Sequence, residues 1–393
     1  MNSEIDAERK EKMIQNQERF NDYKELTEEK IDAAIKQTVQ RVKKYIPYFV
    51  DKFPPEASVN NVYPIMDHRS WVEGFYTGIL WLCYELTGDE EFSDAAKNHI
   101  GDFKMRIEKR DGVDSHDLGF LYTLSCVAQY KLTGDTSARK TALGAAELLL
   151  TRFCEKGQFI QAWGKVGDAN QYRLIVDCLL NIPLLYWAYE ETGDEKFKKA
   201  AEAHFNTTRS VVIREDGSAY HTYFFDPETG LPKCGKTHQG YSDESAWARG
   251  QAWCIYGFML KNHYIKDDDI MSDWFRLTDY YLNHIPEDKI AYWDLCFTDG
   301  DEPRDSSSNV IAACGILECY KQGLCGVEYL KAAKSLINAV IDKCSTENNE
   351  NSNGLITHAT YHRDNSADEC TPWGDYFYIE ALMRLKKDWK MYW

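Results

Sequence analysis

The sequence predicts an all-α fold, an (α/α)6 barrel of six helix hairpins with a small β-hairpin excursion. Three observations point there. A helix–turn–helix pattern recurs along the 393 residues. The pattern, with a helix at each end of the chain, amounts to about twelve helices, the number a closed ring of six hairpins needs. The segments between hairpins are unequal in length and rich in Gly, Trp, Asp and Arg, which suits loops gathered at one end of a barrel better than the even repeats of an open solenoid.

Taken in chain order, residues 1–25 are charged and read as an N-terminal extension, and 26–393 as a single barrel domain, since Pro and Gly never cluster into a linker. A first helix is predicted near Glu28 to Lys44. The first hairpin turn is Thr87-Gly88-Asp89, in which the glycine stops one helix and the aspartate can cap the next. The helix after it carries Ala95, Ala96, His99, Ile100 and Phe103 at the spacing of one helical face. Thr133-Gly134-Asp135 and Thr192-Gly193-Asp194 repeat the turn, and weaker copies lie at Tyr264–Asp269 and Tyr320–Gly326. The copies are spaced at roughly 46 to 73 residues. Between the third and fourth, Ser218 to Gly230 alternates and ends in Asp226-Pro227 and Gly230, the signature of a β-hairpin. A last helix is predicted near Asp375 to Lys387.

Composition narrows the function. Hydrophobic residues make up 44% and aromatics 13%, with 25 Tyr, 17 Phe and 11 Trp, so a large core leaves aromatic rings over for a sugar site. The formal net charge of −17 argues against nucleic acid and against an anionic membrane surface. Twelve Cys occur without a C-x-x-C pair and sit inside apolar runs, as at Cys83, Cys126, Cys178 and Cys254. With a charged N-terminus and no apolar stretch of the roughly 18 residues needed to span a bilayer, a cytoplasmic protein is expected. Oligomeric state leaves no mark in the sequence.

Asp177 is the most telling residue. It lies in the run Leu174-Ile175-Val176-Asp177-Cys178-Leu179-Leu180, where burial would raise its pKa and make it a proton donor near neutral pH. The alternative is an N-cap for a helix beginning near Cys178. A second acid, Asp117, also precedes an apolar helix, and paired carboxylates are the usual equipment for cleaving glycosidic bonds. His116 beside it raises the question of a metal, yet no His, Cys and Asp set has tight ligand spacing, so none is expected. Arg249 and Gln239 are suited to a substrate carboxylate and hydroxyls. Trp71 and Phe75 within Asp67–Gly78, Trp163 after Gln161, Trp253, and Tyr361 with His362 supply aromatic surface. A serine-nucleophile elbow, a P-loop and a dinucleotide fingerprint are all missing, which leaves carbohydrate chemistry on two acids as the best account.

These segments together resemble the unsaturated glucuronyl hydrolases, glycoside hydrolase family 88, over about residues 28 to 393. The likeness is carried in order by Trp71 with Gly74-Phe75, His116-Asp117-Leu118-Gly119-Phe120, Gln161-Ala162-Trp163-Gly164, Val176-Asp177-Cys178-Leu179-Leu180-Asn181, Tyr220-His221-Thr222, Thr237-His238-Gln239-Gly240, Trp247-Ala248-Arg249-Gly250-Gln251, Arg304-Asp305-Ser306-Ser307 and Trp373-Gly374-Asp375-Tyr376. The resemblance implies the same barrel, Asp177 as general acid/base and Asp117 as the second essential carboxylate. It also implies His221, Gln239 and Arg249 as uronate ligands, and Trp71, Phe75, Trp163, Trp253 and Tyr361 as aromatic walls.

The implied substrate is an oligosaccharide with a 4,5-unsaturated uronic acid at its non-reducing end, and the implied reaction is hydration of the vinyl ether, without a cofactor. Two alternatives stand beside it: an unsaturated rhamnogalacturonyl hydrolase acting on pectin fragments, and a non-catalytic sugar-binding barrel. The segment from Tyr361 to Thr371 offers only Arg363, Ser366 and Thr371 to a sulfate on the leaving sugar, which points to unsulfated fragments.

Overall fold

A computed structural model describes residues 14–67 and 69–393. Twelve helical arms form two concentric rings. The inner ring comprises α2 (Glu73–Thr87), the rod made of α4 (Leu118–Tyr122), a π-helical turn (Thr123–Val127) and α5 (Ala128–Thr133), then α7 (Pro183–Thr192), α9 (Ala248–Tyr264), α11 (Ser306–Lys321) and α13 (Pro372–Lys386). The outer ring comprises α1 (Glu28–Tyr45), α3 (Glu90–Lys109), α6 (Thr136–Leu150), α8 (Glu195–Val212), α10 (Met271–His284) and α12 (Val327–Cys344). Helix α13 packs on α11, on α2 and on α1, which closes the ring.

The two rings differ as their sequences require. Every residue of α11 from Ser306 to Cys319, and of α13 from Pro372 to Met383, is buried, because these helices face neighbours on all sides. Outer α1 buries one stripe, Ile31, Ala34, Thr38 and Val42, and leaves its charged face to water.

The three Thr-Gly-Asp turns share one construction. Gly88, Gly134 and Gly193 end their helices with φ of 72°, 73° and 71°, a left-handed conformation that favours glycine. Asp89, Asp135 and Asp194 then accept backbone N–H groups at the start of α3, α6 and α8. In each turn the threonine hydroxyl donates to the carbonyl four residues back and accepts the N–H of the aspartate.

The expected β-hairpin is present as β4 (Thr222–Phe225) and β5 (Pro232–Lys236), with a third antiparallel strand, β3 (Arg173–Ile175), on its other edge. A two-stranded pair, β1 (Phe153–Cys154) with β2 (Phe159–Ile160), lies nearby in the chain. The apolar run around Asp177 is therefore divided: β3, then a 3-10 turn Val176–Leu180, then α7 with Pro183 near its first position. The helix expected from Cys178 begins at Pro183 instead, where the proline ring fixes a helical φ and lacks only an N–H that the first turn would leave unpaired.

The first 25 residues divide as well. Residues 1–13, and His68 of the Trp71 segment, lie outside the described residues. Gln17–Glu25 forms a 3-10 helix seated on α12, with Phe20 buried and Asp22 joined to Lys289 and Ser335. No helix among the described residues is long and apolar enough to cross a membrane.

Candidate active site

The six inner helices begin at one end of the barrel, and Asp117, Asp177, Arg249 and Asp305 lie at or just before such starts, whereas Glu73 and Asp375, near two others, are taken up by Arg106 and by the Leu355 and Ile356 N–H groups. Helix starts present unpaired N–H groups and a partial positive charge, a setting that favours an anionic ligand.

Asp117 and Asp177, sixty positions apart, are brought together by one close contact. Gly119 lies against the backbone of Asn181, so near that an added Cβ would stand 2.3 Å from the Asn181 Cα. Asn181 locks the junction, accepting the Phe120 N–H on Oδ1 at 2.8 Å and donating from Nδ2 to the Asp177 carbonyl at 3.2 Å. Asp177 lies inside its 3-10 turn, whose N-cap position is Ile175, and six residues before α7, so it caps neither.

His116 stands between the acids, its Nε2 3.4 Å from Asp117 Oδ1 and 3.5 Å from Asp177 Oδ1. The Ser115 hydroxyl donates to Asp117 Oδ2 at 2.8 Å. Asp177 Oδ1 is buried without a hydrogen-bond partner, while the side chain as a whole is 18% exposed, which leaves the rest of the carboxyl group within reach of a ligand. Burial pushes Asp117 up to about 6. Burial, reinforced by the neighbouring charge of Asp117, pushes Asp177 well above the usual carboxylate range, with Arg249 opposing. His116 is driven down to about 3 by burial and by Arg152 and Arg173, so it stays neutral.

These three residues are also the one group among the described residues able to hold a metal, their candidate ligand atoms lying within 4.8 Å of one another. The raised carboxyl pKa values suit a pair of acids holding a proton.

His221 is buried under Trp247, with ring centroids 4.1 Å apart. The backbone N–H groups of His238 and Gln239 both donate to its Nδ1, at 3.1 and 3.2 Å, so the neutral ring carries its proton on Nε2. Burial holds its pKa well below the usual value. Gln239 Nε2 donates to the Tyr361 carbonyl. Arg249, 1% exposed, pairs with Asp305 at 2.6 Å, donates to the Thr360 carbonyl, and lies 4.5 and 4.9 Å from the rings of Trp247 and Trp373.

Of the predicted aromatic residues, Trp71, Trp163 and Tyr361 are partly exposed. Trp71 stacks on Trp373 at 4.9 Å, and Trp163 stands edge-on to His116 at 6.5 Å and to His238 at 5.5 Å. Phe75 and Trp253 are fully buried and pack against Phe120, which carries Trp71. They support the wall from behind and do not line it. Phe120, Trp247 and Asp305 stand in the sequence motifs without a role assigned to them, and Arg173 stands in none. Asp305 had a readable signal, since it heads an apolar helix as Asp117 does.

Known proteins resemble the chain over nearly its whole length. The model of Glycosyl Hydrolase Family 88 matches residues 20–387. The unsaturated chondroitin disaccharide hydrolase of Streptococcus pneumoniae is 45% identical over 388 residues, which cover 97% of this chain and 98% of that protein. The unsaturated glucuronyl hydrolase of a Bacillus species is 42% identical over 378 residues, covering 94% and 99%. The crystal structure of the unsaturated glucuronyl hydrolase from Streptococcus agalactiae superposes with a TM-score of 0.93 at 45% identity, covering 97% of this chain and 98% of that one. A mutant of that enzyme complexed with dGlcA-GalNAc6S superposes at 0.86, with 42% identity and 97% of each chain covered.

Proposed function

The chain belongs to Glycosyl Hydrolase Family 88, and from that membership and the geometry of its two acids we propose that it removes the 4,5-unsaturated uronic acid from the non-reducing end of lyase-generated oligosaccharides, glycosaminoglycan fragments among them. The observation that carries this reading is the pair Asp117 and Asp177, brought together beside a neutral His116, with one carboxyl oxygen of Asp177 buried and without a hydrogen-bond partner.

The unsaturated sugar is a vinyl ether, and its reactive atom is carbon C4. Asp177, whose burial favours its protonated form, gives its proton to C4, and positive charge develops at C5 and the ring oxygen. The carboxylate so formed takes a proton from water as the water oxygen bonds to C5, which returns Asp177 to its acid form. The resulting hemiketal opens and expels the remaining sugar. Asp117, within reach of the same histidine, keeps the Asp177 proton in place by its charge. His221, with its proton on Nε2, and Gln239 donate to the uronate. Arg249 supplies a buried positive charge, and Trp71, Trp163 and Tyr361 stack on the sugars.

A reducing, cytoplasmic setting belongs to this reading, supported by twelve free thiols, nine of them buried, such as Cys83 and Cys178. The activity is tested by following the ultraviolet absorbance of the C4=C5 bond with purified protein and unsaturated chondroitin disaccharide. Loss of the absorbance is expected. Unchanged absorbance across chondroitin, hyaluronan, heparin and gellan lyase products would sink the proposal.

A further inference from the structure

One guanidinium at the site has no part in the reaction as described. Arg173 opens β3, four residues before Asp177, and lies 4.4 Å from the ring of Trp163 and 5.0 Å from that of Phe224. Gln171 fixes it in place: Oε1 accepts from Arg173 Nη2 at 3.2 Å and from Trp163 Nε1 at 3.0 Å. The backbone ties it to the acids too, because Ala162 donates to the Arg173 carbonyl and accepts from the His116 N–H.

Arg173 differs from its neighbours in what balances it. Arg249 has Asp305 and Arg152 has Asp114, whereas Arg173 has no carboxylate within ion-pair distance among the described residues. Its Nε is buried without a partner. In the segment Tyr361–Thr371 the candidate sulfate ligands are engaged elsewhere, since Arg363 is held by Glu302 at 3.0 Å and the Ser366 hydroxyl accepts the His362 N–H. A partly buried arginine without a counter-charge is costly to keep, and in a cleft it is balanced most directly by a bound anion.

The place of Arg173 selects which anion. It packs on Trp163, which stands edge-on to His116 and His238, while Arg249 sits among Trp247, Trp373 and Tyr361. Resting on the reading that Arg249, Gln239 and His221 hold the unsaturated uronate, we infer that Arg173 is a specificity-determining residue that receives an anionic substituent, a sulfate ester or a carboxylate, on the sugar that leaves.

The test uses three unsaturated disaccharides whose leaving sugar is uncharged, O-sulfated or a uronic acid, with wild type, Arg173→Met, Arg173→Lys and Gln171→Ala. In Arg173→Met the kcat/KM for a charged leaving sugar, relative to the uncharged one, should fall about ten- to hundredfold, chiefly through KM. Arg173→Lys should keep part of that ratio, and Gln171→Ala, which frees Trp163 without removing the charge, should lower all three substrates together. A ratio that falls for the sulfate alone, or for the carboxylate alone, supports the inference and names the anion. Equal losses on all three substrates in Arg173→Met, no loss on any, or wild-type turnover of the uncharged substrate only would overturn it. Failure of the wild type on every substrate would instead overturn the proposed activity.

Discussion

Two carboxyl groups buried beside one neutral imidazole cannot both ionise cheaply, and the environment decides which keeps its proton. Asp117 is pushed to about 6 with Ser115 donating to it, while Asp177 has an unpartnered oxygen and rises further. Asp177→Asn should lower kcat by about 10²–10⁴-fold, measured by absorbance, while the protein stays folded. Its stability should change in a definite direction. The folded pKa of Asp177 lies above the unfolded value of about 3.9, so the stability linked to its proton is full below that pH and is lost as pH rises through the folded pKa. Thermal melts should therefore show the Asn variant gaining on wild type as pH rises from acidic to neutral. In Asp117→Asn the charge that raises Asp177 is gone, so the alkaline limb of the residual activity should move to lower pH. Asp177 was legible because an acid in an oily run stands out. Arg173 was not, because an arginine opening a short strand looks ordinary until its missing partner is seen.

Elements were legible where the signal is local. Each Thr-Gly-Asp turn contains its own stop and start, so three hairpins could be placed from a few letters, and α1 and α13 fall within a few residues of expectation. Strand β3 and the 3-10 turn after it were hidden, since a three-residue strand inside an apolar run has no period to read. The approach of Gly119 to Asn181 was hidden too, because it joins segments far apart in sequence. Two substitutions separate these kinds of structure. Asp135→Ala removes the cap of α6 and should cost about 1 kcal/mol in chemical unfolding with kcat unchanged. Gly119→Ala forces the acid-bearing segments apart and should cost about 1–3 kcal/mol, with a loss of activity beyond what the unfolded fraction explains.

The whole molecule is a ring whose two ends have different duties. One end gathers the helix starts and the acids. At the other, Trp389–Trp393 fold under the barrel, where Trp393 is fully buried, stacks on Phe377, donates to Glu380, and meets the underside of Phe120 at 6.3 Å. Trp393→Ala should cost about 3–5 kcal/mol, seen as a lowered melting temperature. The ring itself was legible from counting hairpins, whereas this plug was not, because nothing in a five-residue tail states what it will cover. In the proposed reaction Asp177 is the acid that protonates a carbon, and that role is tested most directly by running the reaction on unsaturated chondroitin disaccharide in heavy water and locating deuterium in the product by NMR. One deuterium at C4 per turnover is the predicted result. Release of the leaving sugar with no deuterium at C4 would contradict it.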